Sequence, residues 1–95
     1  MKLIGKKLLH EYKVDHPDTK SDLDALEVEI EDAQWETPHE LRARYAKVSI
    51  IGGRQVIFDI CGNKYRLWVE ISYKNKIVMT VKIGTHKEYD KWIIK

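Results

Sequence analysis

The side chains best suited to chemistry lie in two short segments, Gly-Asn-Lys-Tyr-Arg-Leu at 62–67 and Gly-Thr-His-Lys-Glu-Tyr-Asp at 84–90. Arg66 carries a permanent positive charge that can stabilise a phosphate. His86 can give or take a proton, because histidine titrates close to neutral pH, and Tyr89 could stack on a base or donate a proton. This set predicts general acid–base chemistry on an RNA phosphate, provided that the fold brings the two segments together.

Alternating apolar residues predict that three strands hold these segments in place. One face of each strand is apolar and is expected to pack against helices. The three apolar sets are Val56, Phe58 and Ile60; Tyr65, Leu67, Val69, Ile71 and Tyr73; and Ile77, Met79, Val81 and Ile83.

The first hairpin is predicted to turn through a two-residue loop at 62–63, because Gly and Asn both tolerate a positive φ. This loop pairs Ile60 with Tyr65 and Phe58 with Leu67, so the apolar faces of the two strands coincide.

The second hairpin allows two loops. A two-residue loop pairs Ile71 with Val78 and puts the apolar faces out of step, whereas a three-residue loop at 74–76 pairs Leu67 with Ile83 and restores the match. We therefore predict the three-residue loop.

This register determines which side chains share the opposite face of the sheet. It places Arg66 opposite Gly84, within reach of His86, because directly opposed residues lie close together. It also places Asp59 opposite Arg66, where the two could form an ion pair. The polar face is predicted to carry Arg66, Trp68, Lys82 and His86, with Lys64 and Arg54 at its margins, which gives cations for phosphates and an aromatic ring for a base.

The N-terminal half is predicted to be helical. Apolar spacing and capping residues indicate helices over about 6–15, 18–33 and 38–45, the second capped by Asp18 or Ser21 and the third by Thr37, followed by a loop over 46–54.

Composition indicates one domain of 95 residues with its charge unevenly divided. Residues 1–46 contain 7 Lys/Arg against 11 Asp/Glu, and residues 47–95 contain 10 against 4, so the second half suits a polyanion. The single Cys61 allows no internal disulfide, and no apolar run approaches the ~20 residues of a membrane span. We expect a cytoplasmic protein. The four histidines, at 10, 16, 39 and 86, are too scattered to suggest a metal site, so no metal or cofactor is predicted.

The segments 56–67, 73–78 and 84–91 closely resemble the HigB family of bacterial toxins, part of the RelE-like superfamily of messenger-RNA interferases. The resemblance implies an α+β fold in which N-terminal helices cover one face of a small antiparallel sheet and RNA binds the other, with a short first strand over about 1–5. It also implies cleavage of messenger RNA, typically on the translating ribosome, and a cognate helix-turn-helix antitoxin of the HigA type. Asp59 departs from the usual Asn, and Cys61 from the usual Gly.

The predicted mechanism is metal-free attack of the substrate's own 2′-hydroxyl on the adjacent phosphate. Arg66, assisted by Lys64 or Lys82, would stabilise the phosphate charge, and His86 would act as acid or base, with Tyr89 beside it. Two alternatives are a non-catalytic toxin of the same scaffold that binds another target such as gyrase, and an inactive remnant disabled by Asp59.

Overall fold

The computed structural model describes residues 1–52 and 54–93. Residue 53, in the predicted loop, and residues 94–95 lie outside this description. The elements are β1 (Lys2–Ile4), α1 (Lys6–Asp15), a 3₁₀ helix (Pro17–Thr19), α2 (Lys20–Asp32), α3 (Pro38–Arg44), β2 (Ser49–Ile51), β3 (Gln55–Ile60), β4 (Tyr65–Ser72), β5 (Ile77–Thr85) and α4 (His86–Tyr89). Among the described residues, no helix has the length and apolar character needed to cross a membrane.

The five strands form one sheet in the order β1-β5-β4-β3-β2. The α+β class is confirmed, and so is the first strand implied by the family resemblance. The sheet is mixed, because β1 runs parallel to β5 while the other neighbours are antiparallel. The prediction of a loop throughout 46–54 is wrong, since β2 pairs with β3 over Ser49–Ile51.

The hydrophobic core lies between the helices and one face of the sheet. It contains Leu9 of α1, Leu23, Leu26 and Ile30 of α2 and Leu41 of α3, packed with Val56, Phe58, Leu67, Val69 and Ile71 of the sheet. Burying a side chain of this size contributes roughly 1.5–3 kcal/mol. The helices therefore hold one face of β3 and β4, and the opposite face is left to carry polar groups.

The helix starts follow the predicted chemistry at α3 but not at α2. The Thr37 hydroxyl accepts a hydrogen bond from the backbone N–H of Glu40, as a helix cap should. At α2, the prediction of Asp18 or Ser21 as cap is wrong, because the 3₁₀ helix leads directly into α2 and Thr19 occupies the N-cap position, where its hydroxyl donates back to the carbonyl of His16 instead of capping α2.

The first hairpin has the predicted register, with Ile60 paired with Tyr65 and Phe58 paired with Leu67. Its turn is closed by a hydrogen bond from the Lys64 N–H to the carbonyl of Cys61. The positive φ angles fall on Cys61 (53°) and Gly62 (70°). Gly62 thus adopts the positive φ that glycine tolerates, whereas Asn63 has a negative φ.

The second hairpin differs from its prediction near the turn. Ile71 pairs with Val78, so the three-residue loop is wrong. Val78 is fully buried and Met79 is 42% exposed, the reverse of the predicted faces. A β-bulge then places Val81 as an extra residue between the pairs Val69–Thr80 and Trp68–Lys82. Beyond the bulge the predicted pairing returns, and it is this part of the strand that carries the candidate site.

Candidate functional site

Arg66 occupies the centre of the site on β4. It pairs in register with Gly84 on one side and with Asp59 on the other. Its guanidinium lies 3.2 Å from the Asp59 carboxylate and donates to the carbonyl of Asn63. The side chain is only 11% exposed. Because Asp59 and Asn63 hold its guanidinium, this cation has a defined position on the sheet.

The second part of the site is α4, which begins where β5 ends. Thr85 caps it: its hydroxyl accepts from the Glu88 N–H, and the Glu88 carboxylate accepts from the Thr85 N–H. That backbone N–H lowers the pKa of the Glu88 carboxyl. His86 follows the cap with its side chain 48% exposed and its Nδ1 3.6 Å from a carboxylate oxygen of Asp90. The capping box therefore fixes the place where a titratable imidazole meets solvent.

Tyr89 joins these two parts. Its ring centroid lies 5.5 Å from the Arg66 guanidinium carbon and 6.3 Å from the His86 ring. A cation at this distance from an aromatic face is attracted to it. The three residues predicted to act in catalysis are thus neighbours, as the strand register indicated.

An aromatic cluster extends the site along the sheet. Trp68 donates its indole N–H to Gln55, and its ring lies 6.2 Å from that of Trp92, which in turn lies 5.7 Å from Tyr89. Gly84 makes this arrangement possible, because a side chain at that position would meet the Trp92 ring about 3.0 Å away. Trp92 was not predicted as a site residue, although its place three residues after Tyr89 on a turning segment could have suggested it.

The three peripheral cations predicted to bind RNA are arranged differently from one another. Lys64 forms an ion pair with Asp18 at 2.8 Å, and this hydrogen bond raises the pKa of the lysine. Arg54 pairs with Glu70 at 3.0 Å, at the end of β3 remote from Arg66. Lys82 stands opposite Trp68, is exposed, and forms no ion pair with any residue in 1–52 or 54–93. Lys82 therefore adds its charge to the site, whereas Asp18 holds Lys64 toward the helices.

Comparison with known proteins identifies the family. Residues 19–92 match the HigB_toxin family model, which describes the RelE-like toxic component of a toxin–antitoxin system. Over 93 residues, 96% of this chain and 90% of the other protein, the sequence is 28% identical to the mRNA interferase HigB of Escherichia coli O6:H1. The matched region includes the core strands, the first hairpin and the whole segment from Arg66 to Trp92. The chain therefore belongs to the HigB family of RelE-like toxins.

Proposed function

We propose that this toxin is an endoribonuclease that cleaves messenger RNA on the translating ribosome. The observation that carries the proposal is the contact series Arg66–Tyr89–His86, in which a fixed cation and a titratable imidazole both pack against one aromatic ring. The mRNA interferase named above, similar along nearly the whole chain, supports the same activity. These features suit cleavage of a single strand, whose bases can stack on exposed aromatic rings.

In the proposed reaction the 2′-hydroxyl of one nucleotide loses its proton and its oxygen attacks the adjacent phosphorus. The bond to the 5′-oxygen breaks, and that oxygen takes up a proton, leaving a 2′,3′-cyclic phosphate and a 5′-hydroxyl. His86 transfers one of these protons. Arg66 stabilises the negative charge that accumulates on the phosphate, assisted by Lys82.

The geometry assigns the two nitrogens of His86 different surroundings. Nδ1 faces Asp90, so Nε2 is the nitrogen directed to substrate. Tyr89 packs against the guanidinium of Arg66 and holds it beside the imidazole. We propose no metal: within the described ranges, no three His, Cys, Asp or Glu side chains gather in a way that could hold one.

The proposed protein partner is a cognate antitoxin with a helix-turn-helix domain, of the HigA type. The family description of a toxin–antitoxin system supports an antitoxin partner. Co-expression of the neighbouring open reading frame should restore growth to cells that produce the toxin.

The test of the activity is induction of His86→Ala and Arg66→Ala variants, followed by mapping of 5′ ends in cellular RNA. Loss of an acid–base residue should reduce cleavage by roughly 10²–10⁴-fold, and growth arrest should disappear. His39→Ala and Arg42→Ala are matched controls, because both side chains are exposed on α3 and remote from the site. Circular dichroism checks that each variant is folded. Full toxicity in both site variants would refute the assignment.

The same mapping separates cleavage from the alternatives. A toxin that binds another target, such as gyrase, would arrest growth without new RNA ends. An inactive remnant would neither arrest growth nor produce new RNA ends. The ion pair between Asp59 and Arg66 is the feature that favours this alternative, because the Asp59 carboxylate neutralises the charge of Arg66.

A further inference from the structure

A groove beside the aromatic cluster has no role in the proposed reaction. It encloses about 320 Å³ and is lined by Ile51 of β2 and by Tyr89, Asp90 and Trp92 of the C-terminal segment. Its volume is at the lower end of the range for small-molecule sites. We propose that this groove binds one base of the RNA and that Asp90 selects guanine there. This inference rests on the proposed RNA cleavage and specifies its sequence preference.

The walls of the groove have the chemistry of a base-binding site. Tyr89 and Trp92, which both line the groove, stand edge to face, 5.7 Å apart and nearly perpendicular. Ile51, on the edge strand β2, supplies an aliphatic side chain to the lining. An unstacked base in single-stranded RNA gains most when it stacks on an aromatic side chain.

The lining of the groove includes a carboxylate, Asp90, whereas a site for phosphate alone would carry a cation. Asp90 has 62% of its side chain exposed, its carboxylate lies 3.6 Å from Nδ1 of His86, and Lys87 and Lys91 are on the same segment. A carboxylate repels phosphate, so its place in a basic surface suits the reading of a base edge instead. An ionised carboxylate only accepts hydrogen bonds.

Guanine is the base that matches two carboxylate oxygens. Its Watson–Crick edge presents the N1–H and N2–H donors side by side, so both oxygens of Asp90 can be used in one planar contact. Adenine and cytosine present one amino group next to an acceptor, and uracil presents one N–H between two carbonyl oxygens. The contact therefore ranks guanine first and uracil last.

The distance between Asp90 and the reacting groups gives the groove a defined place on the RNA. Asp90 is four residues from His86 and contacts it, while Tyr89 separates the groove from Arg66. A base in the groove belongs to a nucleotide adjoining the phosphate that Arg66 holds. The preference for guanine should therefore appear at a fixed position relative to the cut.

The binding test uses the full chain carrying His86→Ala, in which cleavage should be strongly reduced, and oligouridylates that contain a single guanosine, adenosine or cytidine. Quenching of tryptophan fluorescence reports binding. We expect the oligomer with guanosine to bind on the order of 10-fold more tightly than oligouridylate, as a bidentate base contact discriminates. Adding Asp90→Asn should remove this advantage, because the amide replaces one acceptor by a donor. Asp32→Asn, the same change on the exposed end of α2, should leave it intact.

The result is read as a ratio of affinities between oligomers, which separates selection of one base from a general effect on RNA binding. An equal change of affinity for every oligomer would mean that Asp90 does not discriminate between bases, and would overturn the proposal. Equal binding of all oligomers by the parent protein would also overturn it. In 5′-end maps from the active protein, guanine should be enriched at one offset from the cut and lose this enrichment in Asp90→Asn. Cuts without that enrichment would overturn the guanine site alone, whereas binding preference without any cuts would overturn the proposed cleavage alone.

Discussion

Replacing Asp59 by Asn should increase the affinity of the site for RNA. The Asp59 carboxylate lies 3.2 Å from the Arg66 guanidinium, and both side chains are largely shielded from solvent. A phosphate that binds Arg66 must share it with this carboxylate. Asparagine has the same shape and keeps an oxygen that can accept a hydrogen bond, but it carries no charge.

The geometry gives the size of the effect. A phosphate on the outer side of the guanidinium would lie roughly 6 Å from Asp59, where two like charges repel by roughly 0.7–3 kcal/mol for an effective dielectric constant of about 80 to 20. Removing this repulsion should strengthen binding roughly 3- to 100-fold, since about 1.4 kcal/mol corresponds to a factor of ten. The same change weakens the ion pair and should lower the free energy of unfolding by about 1–2 kcal/mol.

The assay compares RNA affinity at low and high salt, with urea unfolding measured in parallel. The gain in affinity should shrink as salt screens the charges. Glu70→Gln is the matched control, because Glu70 also pairs with an arginine, Arg54, but lies on β4 opposite Gln55, at the other end of the β3–β4 pair. If folded Asp59→Asn protein binds RNA no better than the parent, Asp59 does not compete with phosphate and serves instead to orient Arg66.

Three further predictions concern α4 and the helices. Thr85→Ala should remove a cap that contributes about 1 kcal/mol to local helix stability. Cleavage should fall and amide exchange in α4 should become faster, while the free energy of global unfolding should change little. Tyr89→Phe should retain RNA affinity, measured by fluorescence quenching, because the ring itself contacts Arg66; loss of turnover alone would identify the hydroxyl as a proton donor. Hydrogen bonding by Lys13 lowers the pKa of Asp24 from 3.8 to about 2. The charged Asp24 carboxylate contributes its full stabilisation of the fold above the ordinary carboxyl pKa, and this contribution disappears as the pH falls to about 2. In Asp24→Asn, the free energy of unfolding measured in urea should therefore change less across that interval.

The sequence determined the first hairpin because alternation continues on both sides of Gly62. The pairing set by the loop at 62–63 places Phe58 and Leu67 on the same face, and a one-residue shift would turn every side chain over. The position of Arg66 opposite Gly84 could be predicted for the same reason. Neither inference needed knowledge of the helices.

Other features could not be read because the pattern was ambiguous or too short. The residues Ile77, Val78 and Met79 are all apolar, so alternation could not show which of them faces the core. The strand β2 has only three residues, Ser49–Ile51, which is less than one clear period of alternation. The predicted cap of α2 failed because Asp18 has stronger partners in the hairpin, Lys64 and Tyr65.

The bulge at Val81 explains how the same strand serves both the core and the site. Near the turn, β5 must direct Val78 inward, where it is fully buried. Near α4, it must place Gly84 opposite Arg66, so that the close approach of Trp92 is possible. In a regular strand these two residues, six apart, would face the same side of the sheet. One extra residue reverses the alternation, and the sheet can then bury Val78 beneath the helices while α4 begins on the face that carries Arg66.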